Sequence, residues 1–338
     1  MVTIQKIMIT TLLLAFACEA FGQSQKGNLD RFLQQAIDNM PGSNVNNYQD
    51  PTLNQLEIWE RMVSAIFGNQ LSSARTKADS VGYEILQFRD TTLPQSKQFH
   101  ILQNKSNASN HWGIYVINPD PCRKDLILQA PHPKYDLSTG DQGVFCFKPK
   151  NDTSACSGTT SVCSSNAEPY PTSDIAHNVN SIFQKTTKLL HKRFANAVFV
   201  QLHGFGKNPS DPYVIMSNGT RKKPNQDYAS IIKSNLKYAD SSLTFKIAHE
   251  DSSWYRLIGF TNVQGRLING VNAPCFQNAN STQGRFLHIE QEKSKLRADS
   301  NAWHKMYTAL SKSFACQKTT DPESYTRYIT GDSGDVGT

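Results

Sequence analysis

Two histidines in this chain stand at the ends of short apolar runs, and the residues around them could do metal chemistry. Residues 126–130 (LILQA) stop at Pro131 and His132, and Asp136 follows four positions after that histidine. Residues 197–202 (AVFVQL) stop at His203 and Gly204, and residues 285–290 end in the acid Glu290. A buried strand that ends at a proline and delivers His and Asp to its tip suits a metal or catalytic site. A hydrolytic zinc centre needs about three protein ligands of histidine and carboxylate type, an open position for water, and a separate carboxylate to take that water's proton. His132, Asp136 and His203 supply such a ligand set, and Glu290 the general base. Asp141 competes with Asp136 as the carboxylate ligand, and Glu292 with Glu290 as the base. Imidazole and carboxylate donors, with no free thiolate implied, make Zn2+ the leading ion.

Each of these residues also has a plainer reading. A lone histidine is often a satisfied core or capping residue, Asp136 could cap the turn after its strand, and Glu290 could simply open the last helix. Two histidines at matched strand ends favour the site. His249 and Glu250 stand at another strand end and could replace His203 or Glu290.

The surrounding pattern supplies the elements that must position this set. Helical apolar spacing covers residues 29–40 and 53–67, and residues 83–88, 98–103 and 112–117 read as strands. Residues 141–150 read as a short helix behind the site, and residues 151–172, rich in Ser, Thr, Asn and Pro, as a surface insertion. A helix is expected from residue 173 to 194, with Asp174 at its dipole and His177 and Asn180 turned towards the site as substrate contacts. Further on come a helix at 225–238, a strand at 243–248 and a closing helix at 294–314. This alternation argues for one α/β domain with a mostly parallel or mixed sheet flanked by helices, its zinc site at the carboxyl ends of the strands. The expected division is a signal peptide at 1–22, an N-terminal extension packed on the main domain at 23–110, the hydrolase-like domain at 111–316, and a flexible tail at 317–338.

Composition narrows the setting. Lys6 is followed by apolar residues 7–17 and small residues up to Gly22, the anatomy of a secretory signal, with a lipoprotein site at Cys18 as the other reading. The run is too short to span a bilayer, so stable membrane insertion is not expected. Six cysteines remain after residue 22, which in an exported chain argues for up to three disulfides, Cys156 and Cys163 bracketing one short loop. The periplasm, the cell surface and the medium all fit. The net charge of +7 comes from scattered basic residues without interleaved aromatics, so nucleic acid is not an expected partner. No P-loop, G-x-S-x-G elbow or H-E-x-x-H occurs.

The order HPKYD, SDIAHN, VFVQLHG, NVQGR and FLHIEQ, spread over residues 125–297, resembles the zinc-carboxypeptidase-like superfamily of amidohydrolases. That group includes metallocarboxypeptidases, N-formylglutamate amidohydrolases and aspartoacylase-type enzymes. The carboxypeptidases proper carry His-x-x-Glu, whereas here the third position after His132 is Tyr135 and the acid is Asp136, which points to a divergent amidase branch. The resemblance implies zinc on His132, Asp136 and His203, Glu290 as base, and an arginine for a substrate carboxylate or the oxyanion. Arg266 is the candidate for that work, with Arg297 and Arg221 behind it. The expected activity is hydrolysis of an amide or peptide bond in a carboxylate-bearing peptide or acyl amino acid. The alternative is a secreted binding protein on a degenerate hydrolase fold without its metal.

Overall fold

The strand before His132 and the strand that carries His203 near its carboxyl end are buried on both faces, which is why they read as continuous apolar runs rather than alternating ones. Ile127 and Phe199 pack into one core layer, while Leu126, Leu128, Val198 and Val200 pack into another across the sheet. The computed structural model describes residues 24–40, 48–93, 96–108, 110–123, 125–147 and 174–316, and the backbone of 326–330. The expected signal segment 1–22 and the whole expected insertion at 151–172, with Cys156 and Cys163, lie outside these residues.

In chain order the elements are β1 (Ser24–Gly27), α1 (Leu29–Asp38), α2 (Leu53–Phe67), α3 (Leu71–Ser80), β2 (Tyr83–Asp90), β3 (Lys97–Asn104), β4 (Tyr115–Asn118), β5 (Leu126–Ala130) and α4 (Thr139–Phe147). They continue with α5 (Ile182–Arg193), β6 (Val198–Phe205), β7 (Val214–Ser217), α6 (Tyr228–Ala239), β8 (Phe245–Ile247), α7 (Val263–Ile268), β9 (Phe286–Glu292), α8 (Lys293–Leu296), α9 (Ser300–Ser313) and β10 (Thr326–Thr330). Among the described residues the strands form one ten-stranded mixed sheet in the order β1-β2-β3-β4-β10-β5-β6-β9-β7-β8. At its centre β5, β6 and β9 run parallel, so their carboxyl ends come to one rim. The chain is a single α/β domain, and residues 24–118 contribute four strands to the sheet that carries the site.

Both faces are covered by helices. On one side Trp59 and Phe67 of α2 and Phe183 and Leu190 of α5 pack with Tyr83, Tyr115 and Phe199. On the other, Ile232 and Leu236 of α6 pack with Met306 and Leu310 of α9 against β6 and β9. Local signals set several helix starts. Thr52 and Gln55 close a capping box at α2, and Asp227 and Asp299 cap α6 and α9.

Three expectations are corrected. The helix expected from residue 173 begins at Ile182, where the Ser181 hydroxyl accepts from the Gln184 N–H; before it, Ile175–His177 is a single 3-10 turn. Asp174 and Asn178 bind nearby N–H groups there, which holds the backbone out of the α-helix. The closing helix is broken into α8 and α9 around Arg297. The stretch read as a flexible tail contains β10, which lies antiparallel to β4 and parallel to β5 and bridges the two halves of the sheet.

Cys122 and Cys316 form a disulfide, and Cys275 is also disulfide-bonded, to a partner outside the described residues. Cys146 is buried and reduced, so a third bridge does not form through it. Among the described residues no helix is long and apolar enough to cross a membrane.

Candidate metal centre

Period-two geometry sorts the site residues onto one face of the sheet. Register places His203 beside Glu290 and Gln201 beside both Gln129 and His288, so these side chains share the face covered by α5 and α7. His132 follows β5 at the same rim. The turn after it folds back, with the Asp136 N–H donating to the His132 carbonyl at 3.0 Å and the Thr139 hydroxyl to the same oxygen at 3.0 Å. Lys134 donates to the carbonyls of Asp38 and Met40 and so ties this turn to the end of α1.

The turn brings Asp136 against both histidines. Its Oδ2 lies 3.4 Å from His132 Nδ1 and 3.3 Å from His203 Nδ1, and all three residues are buried. That oxygen has no hydrogen-bond partner. Bonds of 2.0–2.1 Å at tetrahedral angles put neighbouring donors about 3.3–3.4 Å apart, so these spacings match the edges of a zinc coordination shell. A buried carboxylate oxygen left unpaired between two imidazole nitrogens is what a cation site requires. His132, Asp136 and His203 therefore fit a metal ion.

The outer partners fix which imidazole nitrogen faces inward. Asp174 Oδ1 accepts from His132 Nε2 at 3.0 Å, leaving the Nδ1 lone pair directed at Asp136. Gln201 Oε1 accepts from His203 Nε2 at 3.3 Å and from Asn262 Nδ2 at 2.6 Å, which leaves His203 Nδ1 free in the same sense. A carboxylate or carbonyl behind each ligating histidine is the usual support of a metal site. Gln201 is held in turn by Gln129 and Gln264, so the network is built into the sheet and α7.

Electrostatics follow from this packing. Burial works against charge on His132, but Asp136 and Asp174 outweigh it and raise its pKa well above the usual histidine range. Burial also opposes ionisation of Asp136 and Asp174, yet their histidine partners hold both carboxyls below the ordinary carboxylate range. His203 goes the other way, lowered by burial and by neighbouring His288. Metal binding needs the Nδ1 lone pair of His132, so an ion would compete with a proton at that atom.

Glu290 is buried at the same rim, with Oε1 3.3 Å from His288 Nε2 and Oε2 without a partner. The competing residues are elsewhere. Asp141 lies in the first turn of α4, outside the ligand group, where burial and the Asp38 carboxylate raise its pKa. Glu292 caps α8, accepting from the N–H groups of Ser294 and Lys295. His249 and Glu250 join Asp227 in a separate group away from this rim.

The expected substrate residues fare differently. His177 stands beside the centre, bound to Asp174 at 2.6 Å and to the Thr261 hydroxyl at 2.9 Å, so it buttresses Asp174. Asn180 is exposed in the loop before α5, because the 3-10 turn ends before it. Arg266 is buried and donates to the carbonyls of Phe260, Pro274 and Cys275 and to Asn278, so it stitches a loop together instead of offering a free fork to substrate. Arg297 is likewise buried on main-chain carbonyls, and Arg221 binds those of Ala248, Asp251 and Trp254. The arginine argument for a carboxylate-bearing substrate falls with these contacts.

Sequence reasoning missed Gln201, His288 and the full role of Asp174. The signal for two of them was present: alternation in VFVQLHG and FLHIEQ puts Gln201 with His203 and His288 with Glu290. A polar residue in the middle of a doubly buried strand asks for an explanation.

No family model matches the chain, and no curated protein is similar to it. Among solved structures, the N-formylglutamate amidohydrolase of Ralstonia eutropha aligns over 87% of this chain and 93% of that one, at 10% identity and a TM-score of 0.26. A likeness of that size carries no functional argument, so the reading rests on the site itself.

Proposed function

We propose that this protein is an exported zinc-dependent hydrolase of amide or peptide bonds, with His132, Asp136 and His203 as metal ligands and Glu290 as general base. The observation that carries the reading is the convergence of two Nδ1 atoms on an unpaired, buried Asp136 oxygen, with a second unpaired carboxylate oxygen, on Glu290, at the same strand ends. A zinc ion in that position supplies a Lewis acid and makes water acidic enough to attack at neutral pH. The protein's own part is to hold both imidazoles in one tautomer through Asp174 and Gln201. It also keeps the Glu290 carboxylate ready to accept a proton and later return it to the leaving amine. The Cys122–Cys316 disulfide supports export.

Elemental analysis of the purified protein tests this. About one zinc per chain is expected. Glu290→Gln should keep the metal and lower the rate on N-acyl amino acids and short peptides by roughly 100-fold or more. A wild-type protein that takes up no zinc when it is supplied would sink the proposal and leave a binding protein.

A further inference from the structure

Arg297 follows α8, seven residues after Glu290, and its chain returns beneath the rim of the site. Its side chain is almost completely buried. Nε donates to the Gln291 carbonyl at 3.0 Å, Nη2 reaches the Phe205 carbonyl at 3.5 Å, and Nη1 donates to the carbonyls of both Asp136 and Leu137. One planar group thus joins the carboxyl ends of β6 and β9 to the turn after β5, the three segments that carry His203, Glu290, and His132 with Asp136. A guanidinium suits that task because its donors are fixed in one plane; a lysine ammonium could not reproduce the fork.

Two other features agree. Leu137 and Ser138 both lie in the left-handed region, at φ 32° and 67°, which non-glycine residues adopt only when something holds them there. The guanidinium grips the carbonyls immediately before and within that strained pair. Gly204, next to His203, leaves the space the guanidinium fills: a Cβ at this position would overlap it.

We propose that Arg297 is the positioning residue of the metal centre, holding Asp136 and the left-handed Leu137–Ser138 backbone after it so that the Asp136 carboxylate meets both Nδ1 atoms. The inference rests on the zinc reading above. Arg285 is the natural control, since it too binds main-chain carbonyls, those of Ala197, His191 and Phe194, but at the amino ends of β6 and β9, away from the rim.

The experiment measures zinc affinity by competition with a chromophoric chelator, the visible spectrum of the cobalt-loaded protein, and the Tm of the metal-free protein. Arg297→Met should weaken zinc by roughly 10–100-fold and diminish the tetrahedral cobalt bands, with partial recovery in Arg297→Lys. Arg285→Met should lower Tm and leave zinc affinity at the parental value. A folded Arg297→Met protein that binds zinc as the parent does, or an Arg285→Met protein weakened to the same degree, overturns the assignment while the zinc reading stands. If Arg297→Met does not fold, Gly204→Ala, which displaces the guanidinium without removing it, carries the test: weakened zinc supports the role and parental affinity overturns it. A wild-type chain that binds no zinc overturns both.

Discussion

Among the described residues, two groups of histidine and carboxylate could hold a metal ion on composition alone, and their environments separate them. His132, Asp136 and His203 are buried, each imidazole is anchored from behind, and the oxygen between them is unpaired. In the group Asp227, His249 and Glu250, the carboxylates are already engaged. Asp227 caps α6 and binds Ser230 and His249, and Glu250 binds Ser230 and Lys233 at 2.7 and 2.6 Å. The first arrangement bears the cost of an unmet carboxylate acceptor in the interior; in the second the carboxylates have met their needs with neighbours, and the atom without a partner is a ring nitrogen, His249 Nδ1. Proximity of ligand-type residues is therefore a weak sign of a metal site, and the state of their remaining lone pairs is a stronger one.

The largest test of this contrast is metal content. His203→Ala should take zinc from about one per chain to none, while His249→Ala should leave it unchanged; elemental analysis of the two variants side by side decides it. If both lost metal, the distinction by unpaired atoms would be wrong.

Next in size is the outer support. Asp174→Asn keeps the shape but weakens the hold on the His132 imidazole, and should lower zinc affinity by roughly 10–100-fold. Glu250→Gln should have no effect in the same chelator competition.

The surface group should instead register in stability. Asp227→Ala removes the cap of α6 and is expected to cost about 1 kcal/mol, or roughly 2–4 °C in Tm, with zinc content unaltered. The smallest effect is in acid. Burial opposes ionisation of Asp227, but Ser230 and His249 outweigh it and hold its carboxyl below the usual range. Its contribution is thus present above the unfolded carboxylate range near about pH 4 and fades as pH falls through the lower folded value. Urea midpoints measured downward from pH 5 should show a shallower acid limb in Asp227→Asn than in the parent; an unchanged slope would mean that these contacts do not stabilise the ionised form.

Much of the sheet centre was legible because doubly buried strands leave an unmistakable local record. LILQA and AVFVQL are apolar on both faces, and Pro131 marks where the first strand stops, whereas the second runs past His203 and Gly204 to Phe205. Helix α2 was equally clear, since its apolar stripe and its Thr52 and Gln55 box agree. Less could be read where polar side chains decide the backbone. Asp174 looked like a residue favourable at a helix start, yet it stands between His132 and His177 while the α-helix begins beyond it.

The sequence alone determined that two histidines and a glutamate would stand near the carboxyl ends of strands in an α/β domain, because apolar periodicity and chain punctuation are local properties that survive in one dimension. Only the tertiary structure decided that Asp136, rather than Asp141, closes the group, since that depends on a left-handed turn at Leu137 and Ser138 which no residue type there demands. It also decided the work of the arginines. Arg266 and Arg297 looked like substrate ligands because a guanidinium suits an anion, but the same fork binds backbone carbonyls wherever a buried loop leaves them unpaired. Which partner such a group meets is a property of how distant segments pack, and residue type does not encode it.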